Sequence, residues 1–227
     1  MKTNEVLQKD VQDAIKWEPL LNAAEIGVTA KDGIITLTGT VNSFMKKMEA
    51  EDAAKKVKGV KAVVENIDIK LSNNSKASDN EIANDVVNAF KWDIEIPGDD
   101  VKVKVEDGWV TLSGNIKWNY QREAAKKAVS KLCGVKGVII NIKIESETDD
   151  EINKKNIESA LDRNWTINGI DIHVEIAGHK VILKGIVDSW YQKEEAGRIA
   201  WNAPGVWEVD NEILIDYITR LSRNSLM

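Results

Sequence analysis

Apolar residues recur along this chain in one pattern used three times. Leu7, Val11 and Ile15 repeat at intervals of four and predict one face of a helix. Ile26, Val28 and Ala30, then Ile35, Leu37 and Val41, fall on alternating positions, the period of half-buried strands. Ala50, Ala54 and Val57 return to helical spacing, and Val63, Ile67 and Ile69 close the unit as a third strand. The second use runs Ile82, Val86, Phe90; Val101, Val103, Val105; Val110, Leu112, Ile116; Ala125, Val129, Leu132; and Val138, Ile142, Ile144. The third keeps Ile157 and Leu161, then Ile172, Val174, Ile176; Val181, Leu183, Val187; Ala196, Ala200, Ala203; and Val209, Ile213, Ile215. Its first helical turn is out of step, with Asn153 in the place of Leu7 and Ile82 and Ile152 one residue early.

The punctuation repeats as well. Asp32-Gly33 and Asp107-Gly108 separate the first two strands and predict tight hairpins, because the turn needs positive φ, which Gly supplies without steric cost. The third copy has Gly178-His179 there, which leaves its turn type open. Gly39, Gly114 and Gly185 follow the second strand's apolar pair, where a helix or a neighbouring backbone comes close. Gly59, Gly134 and Gly205 suit the left-handed end of the second helix. Each unit thus reads helix, strand, strand, helix, strand. A two-residue hairpin is antiparallel and a strand reached through a helix can lie parallel, so the fold class is α+β: three tandem αββαβ modules, each a small mixed three-stranded sheet covered by two helices. The expected bounds are 1–72, 79–147 and 148–217, with a tail at 218–227. Ser72–Ser78 reads as a loose linker, and the acidic second linker offers Asp149 or Asp150 as the next helix cap.

Charge narrows the function. The spans 1–72, 73–147 and 148–227 carry net charges of 0, −1 and −5, so none is a basic module and nucleic acid is disfavoured as a ligand. Cys133 is the single cysteine, which rules out an internal disulfide framework, and its place at a helix end predicts a small, buried or half-buried residue. The first residues lack the apolar core of a secretory signal, and no run is long enough to span a bilayer. The expected location is therefore cytoplasmic, or periplasmic if the export signal is atypical or lies outside this sequence.

No catalytic or metal constellation is legible. His173 and His179 have no counterparts in the other copies and read as surface residues, too poorly placed for a metal pair or a catalytic base. The glycines match neither a dinucleotide nor a phosphate loop. The expectation is no enzyme, no cofactor and no metal. Tryptophan stands out, with eight copies against two Phe and three Tyr. Trp17 and Trp92 recur at the end of the first helix, with Trp165 displaced by two places, and the recurrence favours a cap over the core edge. Trp118 with Tyr120, and Trp190 with Tyr191, cluster where the second helix starts, near Lys117 and Lys193; the first copy has Phe44 there. These rings either staple the helix start or seat at a lipid interface or a protein partner.

Val28–Val41 with Gly59–Ile69, Val103–Ile116 with Gly134–Ile144, and Val174–Val187 with Gly205–Ile215 follow the series Ile/Val-x-Val, Asp-Gly (replaced by Gly178-His179 in the third copy), Ile/Val-x-Leu-x-Gly-x-Ile/Val and Gly-Val-x-x-Val. That series resembles the BON domain, named for bacterial osmotically inducible and nodulation-related proteins. The resemblance implies a non-enzymatic module that attaches to phospholipid surfaces or mediates interactions, in osmotic or envelope stress. The expected function is a three-module binding protein that attaches to phospholipid or links membrane and protein partners. The alternative is an intracellular protein-interaction scaffold without lipid affinity.

Overall fold

The computed structural model describes residues 2–71, 77–145, 152–167 and 171–215. Module 1 comprises α1 (Asn4–Trp17), a 3-10 turn (Ala23–Glu25), β1 (Ile26–Lys31), β2 (Ile34–Val41), α2 (Phe44–Lys55) and β3 (Ala62–Ile69). Module 2 repeats it with α3 (Asp79–Trp92), β4 (Val101–Glu106), β5 (Trp109–Ile116), α4 (Asn119–Ser130) and β6 (Gly137–Ile144). Module 3 has α5 (Lys154–Arg163), β7 (Ile172–Ala177), β8 (Lys180–Val187) and α6 (Trp190–Trp201), with its last strand in two pieces, β9 (Glu208–Asn211) and β10 (Leu214–Ile215).

The helix starts follow capping chemistry, in which a side-chain oxygen satisfies an orphan N–H. Thr3 caps α1, and Ser78 forms a reciprocal capping box with Glu81 on α3. On α5 the cap is Asn153, whose side chain accepts from the Asn156 amide. The residue that looked like a misplaced core position is thus the cap, and Ile152 beside it packs on the module 3 core. Asp149 and Asp150 lie outside the described residues. The first residue of the first helix also reaches across to the hairpin. Asn4 Oδ1 accepts from the Asp32 amide at 2.9 Å, and the two Asp79 carboxylate oxygens accept from the Asp107 and Gly108 amides, each at 2.9 Å.

In every module the middle strand lies antiparallel to the first and parallel to the last. The parallel register is the same throughout: Ile34 faces Ala62, Trp109 faces Gly137 and Lys180 faces Glu208. β10 keeps the register of β9, with Leu214 facing Ile186, so the two are one strand interrupted at Glu212 and Ile213. At that break the Asn211 side chain turns toward α6, where its Nδ2 donates to the Lys193 carbonyl at 2.7 Å. The first two hairpins have positive φ at both central residues, Asp32 (53°) with Gly33 (87°) and Asp107 (51°) with Gly108 (80°), the signature of a type I′ turn. The third has positive φ only at Gly178 (61°), which makes it type II′ and frees His179 from any need for a left-handed backbone.

Each module buries its own core between sheet and helices, including Leu7, Ile15, Ile35 and Leu37; Ile82, Val86, Val110 and Leu112; and Ile157, Val174, Leu183 and Ile213. Small residues on the second helices, Ala50 and Ala54, Ala125, and Ala196 and Ala200, let those helices lie close to the sheet.

The modules also touch one another, and the contacts repeat one relation. Aligned on Gly39, Gly114 and Gly185, Phe44, Asn119 and Trp190 are equivalent at the start of the second helix, and Lys55, Ser130 and Trp201 are equivalent at its end. Phe44 of module 1 packs against the module 2 core, where Ser130 is buried. Arg122 of module 2, one turn into α4, lies over the Trp201 ring of module 3 at 4.6 Å, and Trp201 packs against both cores. Trp190 and Glu194 of module 3 meet Lys55 of module 1, whose ammonium is 5.5 Å from the Trp190 ring centre and 3.6 Å from Glu194. The start of each second helix thus meets the next module, from 1 to 2, 2 to 3 and 3 back to 1, in the last two joints at the end of that module's second helix, and the modules close into a ring. The first joint, expected to be loose, carries Phe44 and Ala77 packed on the module 2 core. Residues 72–76 of its linker lie outside the described residues.

Candidate contact surfaces

Among the described residues no group of His, Cys, Asp and Glu is arranged to hold a metal ion. His173 is exposed on β7, 3.6 Å from Asp171. His179 is not the surface residue its sequence position suggested: its ring stacks on Trp207, centre to centre 3.7 Å and 5° from parallel, and its Nδ1 lies 2.9 Å from the Gly205 carbonyl oxygen. Cys133 is exposed rather than buried, because it stands one residue past the Leu132 that packs inward.

The repeated glycines hold backbone together and cradle no ligand. A Cβ on Gly39 or Gly114 would stand 2.0 Å from the carbonyl oxygen of Glu25 or Asp100, and one on Gly185 would stand 2.6 Å from that of Asp171. Gly59, Gly134 and Gly205 lie just past the second helices, and Gly33 and Gly108 in the hairpins.

The aromatic residues at the second-helix starts divide between joints and surface. Phe44 is half-buried on module 2. Trp190 is half-buried beside Lys55, and its indole N–H donates to Glu194 at 2.8 Å. Asn119, at the same position in module 2, is buried. Trp118, Tyr120 and Lys117 stand exposed at the start of α4, and Tyr191 at the start of α6. Lys193 is half-buried and offers its carbonyl to Asn211. Burial pulls the Lys55 ammonium toward the neutral form, but Glu51, Glu194 and Asp52 more than offset it and hold its pKa above the ordinary lysine value. Desolvation against Trp201 lowers the Arg122 pKa from the ordinary arginine value.

The most exposed rings are elsewhere. Trp17, Trp92 and Trp165, at the ends of the three first helices, have relative exposures of 88%, 90% and 88%. They were expected to cap the core edge, and they do not. Helical phase explains why: at 100° per residue, Trp17 stands about 200° round from Ile15, and Trp92 the same from Phe90, so each points away from the buried face. Trp165 follows α5 in a turn. Each ring has an exposed cation close before it, Lys16, Lys91 or Arg163. Leu20 and Ile94 extend two of the patches with further exposed apolar surface. The surroundings are not uniformly basic, since Asp10, Asp13 and Glu18 line the groove beside Trp17.

The BON domain family model matches residues 3–70, 78–146 and 149–217, three copies that cover most of the chain. The chain belongs to the BON domain family. Among curated proteins, these BON modules are similar to osmotically-inducible protein Y of Escherichia coli (strain K12), 28% identical over 127 residues, 54% of this chain and 63% of that protein. They are also similar to the outer membrane lipoprotein DolP of Haemophilus influenzae, 30% identical over 139 residues, 60% of this chain and 72% of that one. The chain thus spans less than two thirds of the first of these relatives. A solved structure, the C-terminal domain of CdsD, a structural protein of the Chlamydia trachomatis type III secretion system, aligns over 95% of the chain at 16% identity, with a TM-score of 0.27. Among the described residues no helix of the BON protein is long and apolar enough to cross a membrane.

Proposed function

We propose that this BON protein is a non-enzymatic adaptor of the cell envelope that attaches to phospholipid surfaces through the ends of its three first helices. The observation that supports this is the triple exposure of Trp17, Trp92 and Trp165 at corresponding places in a closed ring. Three like modules joined in one direction turn the ends of their first helices around a common axis, with Trp165 two residues beyond the place of Trp17 and Trp92. The three rings are therefore offered together to one flat partner. A tryptophan with a cation beside it suits a lipid interface, where the ring sits among the headgroups and the charge stays wet. Burying half of a ring's area of about 200 Å² contributes about 2.5 kcal/mol at ~25 cal/mol per Å². One such ring binds weakly, whereas three on a single rigid body add.

Charge sets the lipid preference. With a net charge of −6, the chain is repelled by anionic headgroups, so the rings rather than the lysines hold it down. The names of the relatives, an osmotically inducible protein and an outer membrane lipoprotein, support an envelope stress setting over the cytoplasm. A second reading, attachment to a protein partner, is favoured by Trp118 and Tyr120, exposed together at the start of α4 with Lys117. Flotation with phosphatidylcholine vesicles separates the two. Lipid attachment predicts that the chain floats with neutral vesicles and that added phosphatidylserine does not strengthen it. A chain that never floats but captures a partner from envelope extract through Trp118 and Tyr120 belongs to the second reading.

A further inference from the structure

The three joints repeat one relation, yet they are not made of the same material. Phe44 carries the first into the module 2 core, and Trp201 carries the second into two cores at once. Among the described residues no half-buried apolar side chain of module 3 packs into the module 1 core, and none of module 1 into the module 3 core. The third joint is held by charge. Lys55 reaches Glu194 at 3.6 Å while bound to Glu51 of its own helix at 2.9 Å, and Lys58 reaches Asp188 at 3.5 Å. Glu194 also takes the Trp190 indole N–H, so this carboxylate fixes the ring under the Lys55 ammonium. All these groups except Lys55 keep substantial contact with water. The third joint is also the one that no linker spans, since modules 3 and 1 are joined only through module 2.

We propose that this joint is an ionic-strength-sensitive clasp, which closes the ring in dilute salt and releases it in concentrated salt. Solvent-exposed pairs are screened as the Debye length falls from about 10 Å at 0.1 M to about 3 Å at 1 M, whereas apolar packing at the other joints is not weakened by simple salt. The exposed Lys58–Asp188 pair, the partly buried Lys55–Glu194 pair and one cation–ring contact favour closure by on the order of tenfold, small enough for salt to reverse. Opening swings module 3 from module 1 and uncovers Trp190. Resting on the lipid reading above, it also removes Trp165 from the plane of Trp17 and Trp92, so a trivalent attachment becomes a divalent one.

The test is a distance within the full chain. With Cys133→Ser as background, Gln12→Cys on α1 and Ser159→Cys on α5, both exposed positions, carry a donor and an acceptor dye. Transfer efficiency is then read from 0.05 to 1 M sodium chloride. The expected result is a several-fold fall in the closed fraction with salt. Lys55→Gln with Lys58→Gln reaches the open value already at 0.05 M, and exchange of the second pair, Lys58→Asp with Asp188→Lys, restores closure. Circular dichroism of each variant confirms that the modules stay folded. A transfer efficiency that neither salt nor Lys55→Gln with Lys58→Gln changes overturns the clasp. A salt-dependent distance in a chain that never floats with vesicles upholds the clasp and sinks the lipid reading.

Discussion

Gly114→Ala separates two costs that the structure assigns to different glycines. At Gly114 the backbone φ is 140°, and an added Cβ would lie 2.0 Å from the Asp100 carbonyl oxygen. The residue must leave a region closed to side chains, at about 1–3 kcal/mol. The start of β4 must also retreat by about an ångström, at a further 1–3 kcal/mol or so for overpacking. The sum, about 4 kcal/mol, is a large part of the 4–10 kcal/mol or so that holds a module of this size. Two other glycines serve as controls. Gly178 has a φ of 61° and nothing within 4 Å of its would-be Cβ, so Ala there meets the backbone cost alone, about 1–2 kcal/mol. Gly98 has neither burden, only the Phe90 Cβ at 3.6 Å, and Ala should be neutral or stabilise by up to about 1 kcal/mol. Urea unfolding of the full chain, with hydrogen exchange followed on peptides spanning β4 to β6, reads each cost in its own module. Module 2 should melt about 15–30 °C earlier in Gly114→Ala. If Gly114→Ala proves no worse than Gly178→Ala, the close approach of Asp100 to β5 is refuted.

His179→Gly should destabilise module 3 by about 1–2 kcal/mol, since it removes both the stack on Trp207 and the contact with the Gly205 carbonyl; thermal denaturation checks it. Glu195 accepts from Arg198 and Asn164, and these bonds, Arg198 first, hold its carboxyl below the ordinary 4.5. A depressed folded pKa contributes stability that is present above the unfolded value and lost as pH falls through the folded one. Glu195→Gln should therefore cost about 1 kcal/mol at pH 7 and nothing well below pH 4, read from stability against pH. Trp201→Ala should cost about 2–3 kcal/mol and uncouple modules 2 and 3, so that calorimetry shows their unfolding at separate temperatures.

What could be read from the chain was whatever lies within one module. Leu7, Val11 and Ile15 give their helix by period, and Asp107-Gly108 gives its hairpin by the backbone it requires. The interruption at Glu212 and Ile213 left no such mark, because Ile213 keeps its alternating place and is buried, and only the tie from Asn211 to α6 reveals the break. The outward direction of Trp17 and Trp92 was present in the helical phase, but their recurrence pointed toward packing. The joints were illegible for a physical reason. Their equivalent positions hold Phe44, Asn119 and Trp190 at one end and Lys55, Ser130 and Trp201 at the other, residues with no common chemistry. A ring closed by three different interactions leaves no periodic trace.

Attachment through the first-helix ends is tested most directly by removing those rings stepwise. Trp17, Trp92 and Trp165 are replaced by Ser singly, in pairs and together, and the partition coefficient onto neutral phosphatidylcholine vesicles is measured for the full chain, with circular dichroism to confirm the fold. Because these rings are almost wholly exposed, the fold should survive all three changes. Each loss should lower partitioning on the order of tenfold or more, and the triple variant should not bind. Undiminished binding by the triple variant, together with its loss on Trp118→Ala and Trp190→Ala, would contradict this placement and move the contact to the starts of the second helices.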